Sequence, residues 1–307
     1  MVTNYVGAIG LAAAAGINHP EGDHLAPTGR GAGEHDPSGE VARNARTFAT
    51  TPSNGILYHG GPIMPGAVNI YYIWYGAWNT PGDTTQPLLT NLGQHIGGTP
   101  YFAINKTYFD STGATVSGTV NFAGATHDPG SQGSALTDAG VKQVVATALA
   151  NHALPTDANG VYFVLTSKEV KETSGFCTQY CGWHTRGTIN QRSIKYSFVG
   201  NPAQQCPSAC SAQAKSPNNN LGADAMASVI AHELAESVSD PNLNAWFDQS
   251  GSENADKCAW TFGATTLMPG GARYNITWTD KATLAQTHWL LQQNWLNANG
   301  GRCTLAN

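Results

Sequence analysis

The amino-acid sequence predicts a mixed α/β (or α+β) fold, in which helices flank a twisted mixed sheet. Short runs rich in β-branched and aromatic residues alternate along the chain with longer segments of helical periodicity. No internal repeat interrupts this alternation. The predicted strands are 67–75, 117–122, 160–166 and 193–199, and the predicted helices are 84–98, 137–152, 222–239 and 281–297.

Local signals support the individual elements. Residues 67–75 (AVNIYYIWY) have the composition of a buried strand and give the strongest strand signal. The first helix is closed by Gly97 and Gly98, the second begins after Thr137 as N-cap, and Pro241 marks the end of the third. The last helix has apolar residues spaced for one buried face: Leu284, Trp289, Leu290 and Leu296.

The chain is predicted to consist of an arm at 1–55 and a single globular domain at 56–307. Residues 17–55 contain few large apolar side chains and many Gly, Pro, Asp and Glu residues, so they cannot bury enough area to offset the cost of ordering. We interpret the arm as a leader, a linker or a propeptide-like segment. The apolar stretch 6–16 is too short to span a bilayer, and no Lys or Arg precedes it as in a complete secretory signal.

Composition excludes some classes of partner. Charged residues make up 11% of the chain, against roughly 25% in an average soluble domain. The formal net charge is -5, and the Lys and Arg residues form no basic run. Nucleic-acid binding needs such a basic patch, so no nucleic-acid partner is predicted. No segment has the length and apolarity of a membrane span.

Six cysteines indicate disulfide bonds and an oxidising compartment. Two pairs have the spacing CxxxC in Gly- and Ser-rich segments, whereas zinc ribbons usually have tighter CxxC pairs. Six cysteines allow 15 pairings. Proximity and elimination favour Cys177–Cys181, Cys206–Cys210 and Cys258–Cys303, and the cysteines predict a secreted, extracellular protein.

One helix carries a metal-site pattern. In the segment 224–241 (DAMASVIAHELAESVSDP), His232 and Glu236 are four residues apart, so they project from the same helix face and can bind one ion. Glu233 is turned by about 100° from His232 on a helix of 3.6 residues per turn. This places Glu233 beside the ion as a general base for a metal-bound water. The pattern resembles the zincin motif with Glu in place of the second His, and predicts zinc, with a structural calcium as the alternative.

A catalytic zinc site needs a further ligand, and acidic residues follow the helix. Glu253 and Asp256 lie three residues apart just before Cys258, so a turn there can present one as a ligand and the other as its support. Asp240 is the next candidate, although it can instead close the helix. His184, beside Cys181, is a candidate fourth ligand or oxyanion stabiliser. His59 and His127 are weaker candidates.

Several ordered motifs are similar to a known family. They are YHGGP at 58–62, IWYG at 73–76, GFC at 175–177, CG at 181–182, QCP at 205–207, MASVIAHELAE at 226–236, NAW at 244–246 and DKC at 256–258. On these motifs the chain resembles the phosphate-induced protein 1 family, also called Exordium-like, which is known from plant cell walls and occurs in bacteria.

The resemblance implies an extracellular protein with the family fold, and it carries over the positions His232, Glu233, Glu236, Asp256 and the cysteines. Asp240 departs from the plant members, which have Asn before that Pro. The family name does not bring an enzymatic activity with it.

Three functions are consistent with these features. The first is a secreted zinc-dependent hydrolase, most plausibly a peptidase, with a peptide or a cell-wall polymer as substrate. The second is a non-catalytic extracellular cell-wall or matrix protein in which the metal braces the fold. The third is a carbohydrate-binding surface formed by tryptophans in loop-like stretches, namely Trp78, Trp183, Trp246 and Trp260. We favour the hydrolase, because a bracing ion does not need Glu233 beside two ligands.

Overall fold

The computed structural model describes residues 55–280 and 285–307. Nearly all of the predicted arm 1–55 lies outside the described residues, as does the apolar stretch 6–16. The strands are β1 (Leu57–Tyr58), β2 (Val68–Tyr75), β3 (Val120–Asp128), β4 (Ala135–Leu136), β5 (Gly160–Thr166), β6 (Lys171–Glu172), β7 (Gly182–Ile189), β8 (Arg192–Val199), β9 (Trp246–Phe247), β10 (Thr266–Leu267), β11 (Arg273–Tyr274), β12 (Ile276–Thr279), β13 (Gln286–Trp289), β14 (Asn294–Leu296) and β15 (Arg302–Thr304). The helices are α1 (Thr85–His95), α2 (Pro100–Ala103), α3 (Asp138–Ala150), α4 (Pro207–Cys210) and α5 (Leu221–Ser239), with 3-10 turns at Ile104–Thr107 and Asp256–Cys258.

Five strands form the main sheet, in the order β3-β2-β5-β8-β7. The first four run parallel, and β7 is antiparallel to β8, so the sheet is mixed as predicted. All residues of β5 are buried, because a central parallel strand is covered on both faces. On the edge strand β7, His184 lies opposite Ser197 of β8. The sheet thus carries one candidate site residue on a rigid element.

Helix α5 packs against the sheet at β7, β8 and β5, and against helix α1. The helix begins at an N-cap, because the Asn220 side chain accepts a hydrogen bond from the backbone N–H of Ala223 at 3.0 Å. Residues 222–239 of the helix are all buried. A surface helix buries one face only, whereas a helix that is buried on every side belongs to the protein core. The predicted helix 222–239 is confirmed, and its polar residues lie in the protein interior.

The other predicted elements agree in part. The predicted helix 137–152 corresponds to α3, and Thr137 is its N-cap. The predicted strands 67–75, 160–166 and 193–199 correspond to β2, β5 and β8. The predicted strand 117–122 only overlaps the start of β3, and the predicted helix 84–98 ends earlier, at His95.

The predicted helix at 281–297 is wrong. Residues 281–284 lie outside the described part of the chain, and the remainder forms β13, paired with β12, and β14, paired with β15. Backbone N–H groups of this region donate hydrogen bonds to side chains from distant segments. Asn275 Oδ1 accepts from the N–H of Leu291 at 2.9 Å, and Ser228 Oγ accepts from the N–H of Gln292 at 3.1 Å. Tertiary hydrogen bonds therefore override the helical spacing of the apolar residues.

The observed disulfides differ from two of the three predicted pairs. Cys177 bonds Cys206, and Cys181 bonds Cys210, with Cα–Cα distances of 5.6 and 5.5 Å. The predicted pairs Cys177–Cys181 and Cys206–Cys210 are wrong, because the two CxxxC segments lie side by side and bond across to each other. The third predicted pair, Cys258–Cys303, is confirmed. All six cysteines are bonded.

Three of the four tryptophans considered as sugar-binding residues are buried. Trp78, Trp183 and Trp246 belong to the hydrophobic core, and only Trp260 is partly exposed. Core packing accounts for the three buried rings, so they do not form a surface for sugars. Within the described residues, no helix has both the length and the apolarity needed to cross a membrane.

Candidate metal centre

Three residues of helix α5 form the first half of the site. His232, Glu233 and Glu236 are at most 1% exposed. His232 Nε2 lies 3.1 Å from Glu236 Oε1, one helical turn away, as the spacing predicts. The imidazole and the carboxylate therefore face the same point in the protein interior.

Strand β7 and the loop after β9 supply the second half. His184 Nε2 lies 2.9 Å from Glu253 Oε2 and 3.9 Å from Glu236 Oε2. Asp256 Oδ1 lies 3.4 Å from His232 Nε2. His184 lies on the buried strand β7, at 1% exposure. All six predicted site residues therefore converge on one buried cluster.

Backbone hydrogen bonds fix the acidic loop on the helix. The N–H of Asp256 donates to Glu236 Oε1 at 3.0 Å, and the N–H of Glu253 donates to Asp256 Oδ2 at 3.2 Å. Asn254 donates from Nδ2 to the carbonyl of Ala235 at 3.2 Å. The disulfide of Cys258 holds the end of this loop. These contacts orient the carboxylates of Glu236 and Asp256 before any ion binds.

The donor atoms form two sets, each with its atoms within 4.8 Å of one another. One set is His184, Glu236 and Glu253, and the other is His232, Glu236 and Asp256. Imidazole nitrogens together with carboxylate oxygens are the ligands of catalytic zinc sites, whereas calcium takes oxygen ligands. The composition of both sets therefore fits zinc.

Glu233 differs from the other acids of the cluster. Its side chain is 0% exposed, and neither carboxylate oxygen has a hydrogen-bond partner among the residues that the structure describes. A buried carboxylate without partners is costly unless it is protonated or meets a cation or a water. Gly182 leaves room for this side chain, because a Cβ there would lie 3.2 Å from Glu233 Oε1. Gly182 was not among the predicted site residues, although the CG motif at 181–182 places it two residues before His184.

Burial and neighbouring charges shift the pKa values of the cluster in different directions. Burial and the adjacent acids raise the pKa of Glu233 well above its usual value, and burial also raises the pKa of Glu236. Burial lowers the pKa of His184. For His232, burial lowers the pKa, but the charge of Glu236 and hydrogen bonds to the acids outweigh it and raise the pKa well above 6.5. A cation would remove this competition for protons.

Asp240 is not a member of either set of donor atoms. Its carboxylate accepts hydrogen bonds from the backbone N–H groups of Asn244, Ala245 and Trp246 at 2.7, 2.7 and 3.2 Å. These bonds close the turn after helix α5, which was the alternative role for this residue. Burial raises the pKa of Asp240 to about 6.

The two weaker histidine candidates lie elsewhere. His59 stacks on Phe247 with a ring-centroid distance of 3.6 Å, and its Nε2 lies 3.0 Å from the Phe247 carbonyl oxygen. His127 lies on β3, with Nε2 3.4 Å from Gln86 Nε2. Neither belongs to the cluster.

The fold and the site define a disulfide-bonded α/β protein with a histidine-carboxylate cluster in its interior. Residues 56–283 match the family described as "Phosphate-induced protein 1 conserved region", and the chain therefore belongs to this family. The resemblance seen in the sequence motifs is confirmed.

Curated relatives include plant proteins of this family. Protein EXORDIUM-like 5 of Arabidopsis thaliana is 33% identical over 237 residues, covering 68% of this chain and 65% of the relative. Protein EXORDIUM-like 3 of the same plant is 30% identical, covering 76% of this chain and 80% of the relative. Protein PHOSPHATE-INDUCED 1 of Nicotiana tabacum is 26% identical over 261 residues, covering 76% of this chain and 80% of the relative. No solved structure matches the chain.

Proposed function

We propose that this chain is a secreted zinc-dependent hydrolase, most plausibly a peptidase, in which Glu233 is the general base. The proposal depends on Glu233, a fully buried carboxylate beside a set of zinc-type donor atoms, with no hydrogen-bond partner in the described part of the chain. Such a group has no packing role that would offset the cost of its burial. A role as the base that takes a proton from a water molecule would account for Glu233.

The ligands of the proposed site are His232 and Glu236 on α5, with Asp256, Glu253 and His184 from the facing elements. Bound zinc would polarise a substrate carbonyl and lower the pKa of a water to about 7. The chain contributes the remaining parts. Glu233 accepts the proton of the water, and the backbone N–H of Asp256 keeps Glu236 oriented.

Secretion is part of the proposal and is supported by the three disulfides. Disulfides persist in oxidising compartments and are rare in the cytosol. A peptide or a cell-wall polymer is the substrate that such a location would offer.

Replacing Glu233 by Gln tests the catalytic role. The zinc-loaded wild-type chain is incubated with a peptide library, and the products are read by mass spectrometry. We expect Glu233→Gln to reduce the cleavage rate by about 100-fold or more, with unchanged zinc content. Asp224→Asn is the matched control, since Asp224 is a buried acid on the same helix outside the cluster, and it should keep full activity. A wild-type chain that hydrolyses nothing, or a Glu233→Gln variant with full activity, contradicts the proposal.

A second candidate is a non-catalytic extracellular protein in which the metal braces the fold. The burial of the cluster favours it, because the side chains of His184, His232, Glu236, Glu253 and Asp256 are at most 1% exposed. A substrate could reach these residues only if a covering segment moved. A hydroxamate that binds zinc distinguishes the two candidates: it should bind the zinc-loaded chain of a hydrolase and should not bind a sealed structural site.

A further inference from the structure

Glu236 lies between two separate groups of ligand atoms. Its Oε1 lies 3.1 Å from Nε2 of His232, and its Oε2 lies 3.9 Å from Nε2 of His184. Each histidine therefore faces a different oxygen of the same carboxylate. Glu253 accompanies His184 at 2.9 Å, and Asp256 accompanies His232 at 3.4 Å. The arrangement on the two sides of Glu236 is the same: one imidazole and one further carboxylate.

These five side chains do not form one set around a single point. Among the described residues, the two groups whose donor atoms lie within 4.8 Å of one another share Glu236 alone. Ligands at about 2.1 Å from one tetrahedral zinc lie roughly 3.5 Å from one another. Each group is compact enough for one ion of that kind, whereas a single ion would leave one imidazole and one carboxylate outside its reach.

We infer that the site holds two divalent transition-metal ions bridged by the carboxylate of Glu236. One ion binds His184, Glu253 and Glu236 Oε2, and the other binds His232, Asp256 and Glu236 Oε1. The inference rests on the metal binding of the proposed function and adds its stoichiometry and its bridging ligand. The N–H of Asp256, 3.0 Å from Glu236 Oε1, uses one lone pair of that oxygen and leaves the other for the ion. Paired ions of this kind occur in several classes of hydrolase.

Metal counting on the full chain tests this inference. The protein is stripped with a chelator, equilibrated with zinc, desalted, and analysed by elemental analysis and by native mass spectrometry. We expect two zinc ions per chain. One ion per chain overturns the two-ion site and leaves the proposed function standing. No bound ion overturns both.

Variants locate the two ions. His184→Ala should reduce the count from two to one, and Glu236→Gln should reduce it to one or none because it removes the shared ligand. Asp224→Asn should keep two, as a buried acid outside the cluster. A count of two in His184→Ala contradicts the assignment. If a variant does not fold, manganese replaces zinc in the wild-type chain. A spin-coupled electron paramagnetic resonance spectrum then supports the bridge, and a spectrum of isolated ions overturns it.

Discussion

His184 Nε2 lies 2.9 Å from Glu253 Oε2, across 69 residues of sequence. This contact joins the antiparallel edge strand β7 to the acidic loop held against helix α5. His232 and Asp256 make the equivalent connection from the helix itself, at 3.4 Å. The acidic loop is therefore attached to strand β7 and to helix α5, in each case by a histidine–carboxylate pair. In addition to any role in chemistry, a cation bound at these pairs would stabilise the contacts between the sheet, the helix and the loop.

Glu236→Gln should remove most of the thermal stabilisation that zinc gives the protein, because Glu236 is the shared ligand of the proposed site. In zinc at 1,000 times its dissociation constant, the wild-type chain should gain about 4 kcal/mol, which the variant should largely lose. Differential scanning calorimetry with zinc and with chelator measures this gain. Glu172→Gln, a buried acid outside the cluster, should keep the zinc response. An equal zinc response in Glu236→Gln contradicts metal binding at this residue.

Gly182→Ala should disturb the site more than the same change elsewhere on the strand. A Cβ at Gly182 would lie 2.5 Å from Val229 Cγ1 and 2.8 Å from the Phe198 carbonyl oxygen. Overpacking of this kind costs about 1–3 kcal/mol. Gly187→Ala on the same strand is the control, since its Cβ would meet side chains at 3.1 Å or more, the nearest being a flexible lysine. Chemical denaturation should give the larger loss for Gly182→Ala. Equal losses would contradict the close packing around Glu233.

Loss of the Cys258–Cys303 bridge should affect both stability and the site. The bridge spans 45 residues of sequence, and the loop-closure relation for that length gives a loss of about 4 kcal/mol on its removal. Because Asp256 lies two residues before Cys258, zinc affinity should also decrease in the double variant Cys258→Ala/Cys303→Ala. Urea denaturation and zinc titration measure the two effects. Unchanged affinity would mean that backbone hydrogen bonds alone hold the loop.

Asp224 should make the protein less stable as the pH rises. Burial raises its pKa to about 6 from 3.8, although hydrogen bonds from Ser216 and Asn218 oppose the shift. The folded state therefore binds this proton more tightly than the unfolded state, so stability decreases as pH rises between these two values and stays lower above them. The full effect of a two-unit shift is on the order of 3 kcal/mol.

Asp224→Asn should remove this dependence. The stability of the variant relative to wild type should increase from about pH 4 to about pH 7, when both are measured by urea denaturation in chelator. The change in this relative stability between the two pH values does not depend on the hydrogen bonds that the substituted amide gains or loses. A constant difference would contradict a raised pKa at Asp224.

The sequence predicts the helical half of the site because that half is local. His232, Glu233 and Glu236 lie within five consecutive residues, and the 3.6-residue period of a helix fixes their relative directions. Glu253 and Asp256 were identified as candidates by their short distance along the chain from the helix. Their contacts depend on two hydrogen bonds that no sequence pattern encodes, from the N–H of Asp256 to Glu236 and from the N–H of Glu253 to Asp256.

The sequence did not predict the position of His184 or the pairing of the first four cysteines, and both depend on contacts between distant segments. His184 is placed by the pairing of β7 with β8, in which it lies opposite Ser197. Cys177 and Cys181 bond to residues 29 positions away because their segment lies along the one that carries Cys206 and Cys210. Proximity in sequence favoured the wrong partners.

The most direct test of metal binding is a crystal structure of the zinc-equilibrated chain, with diffraction data collected on both sides of the zinc absorption edge. We expect anomalous density among His184, His232 and Glu236, with zinc–ligand distances of about 2.0–2.2 Å. An anomalous map without density there, and with His184 still paired directly to Glu253, would show that the cluster does not bind zinc.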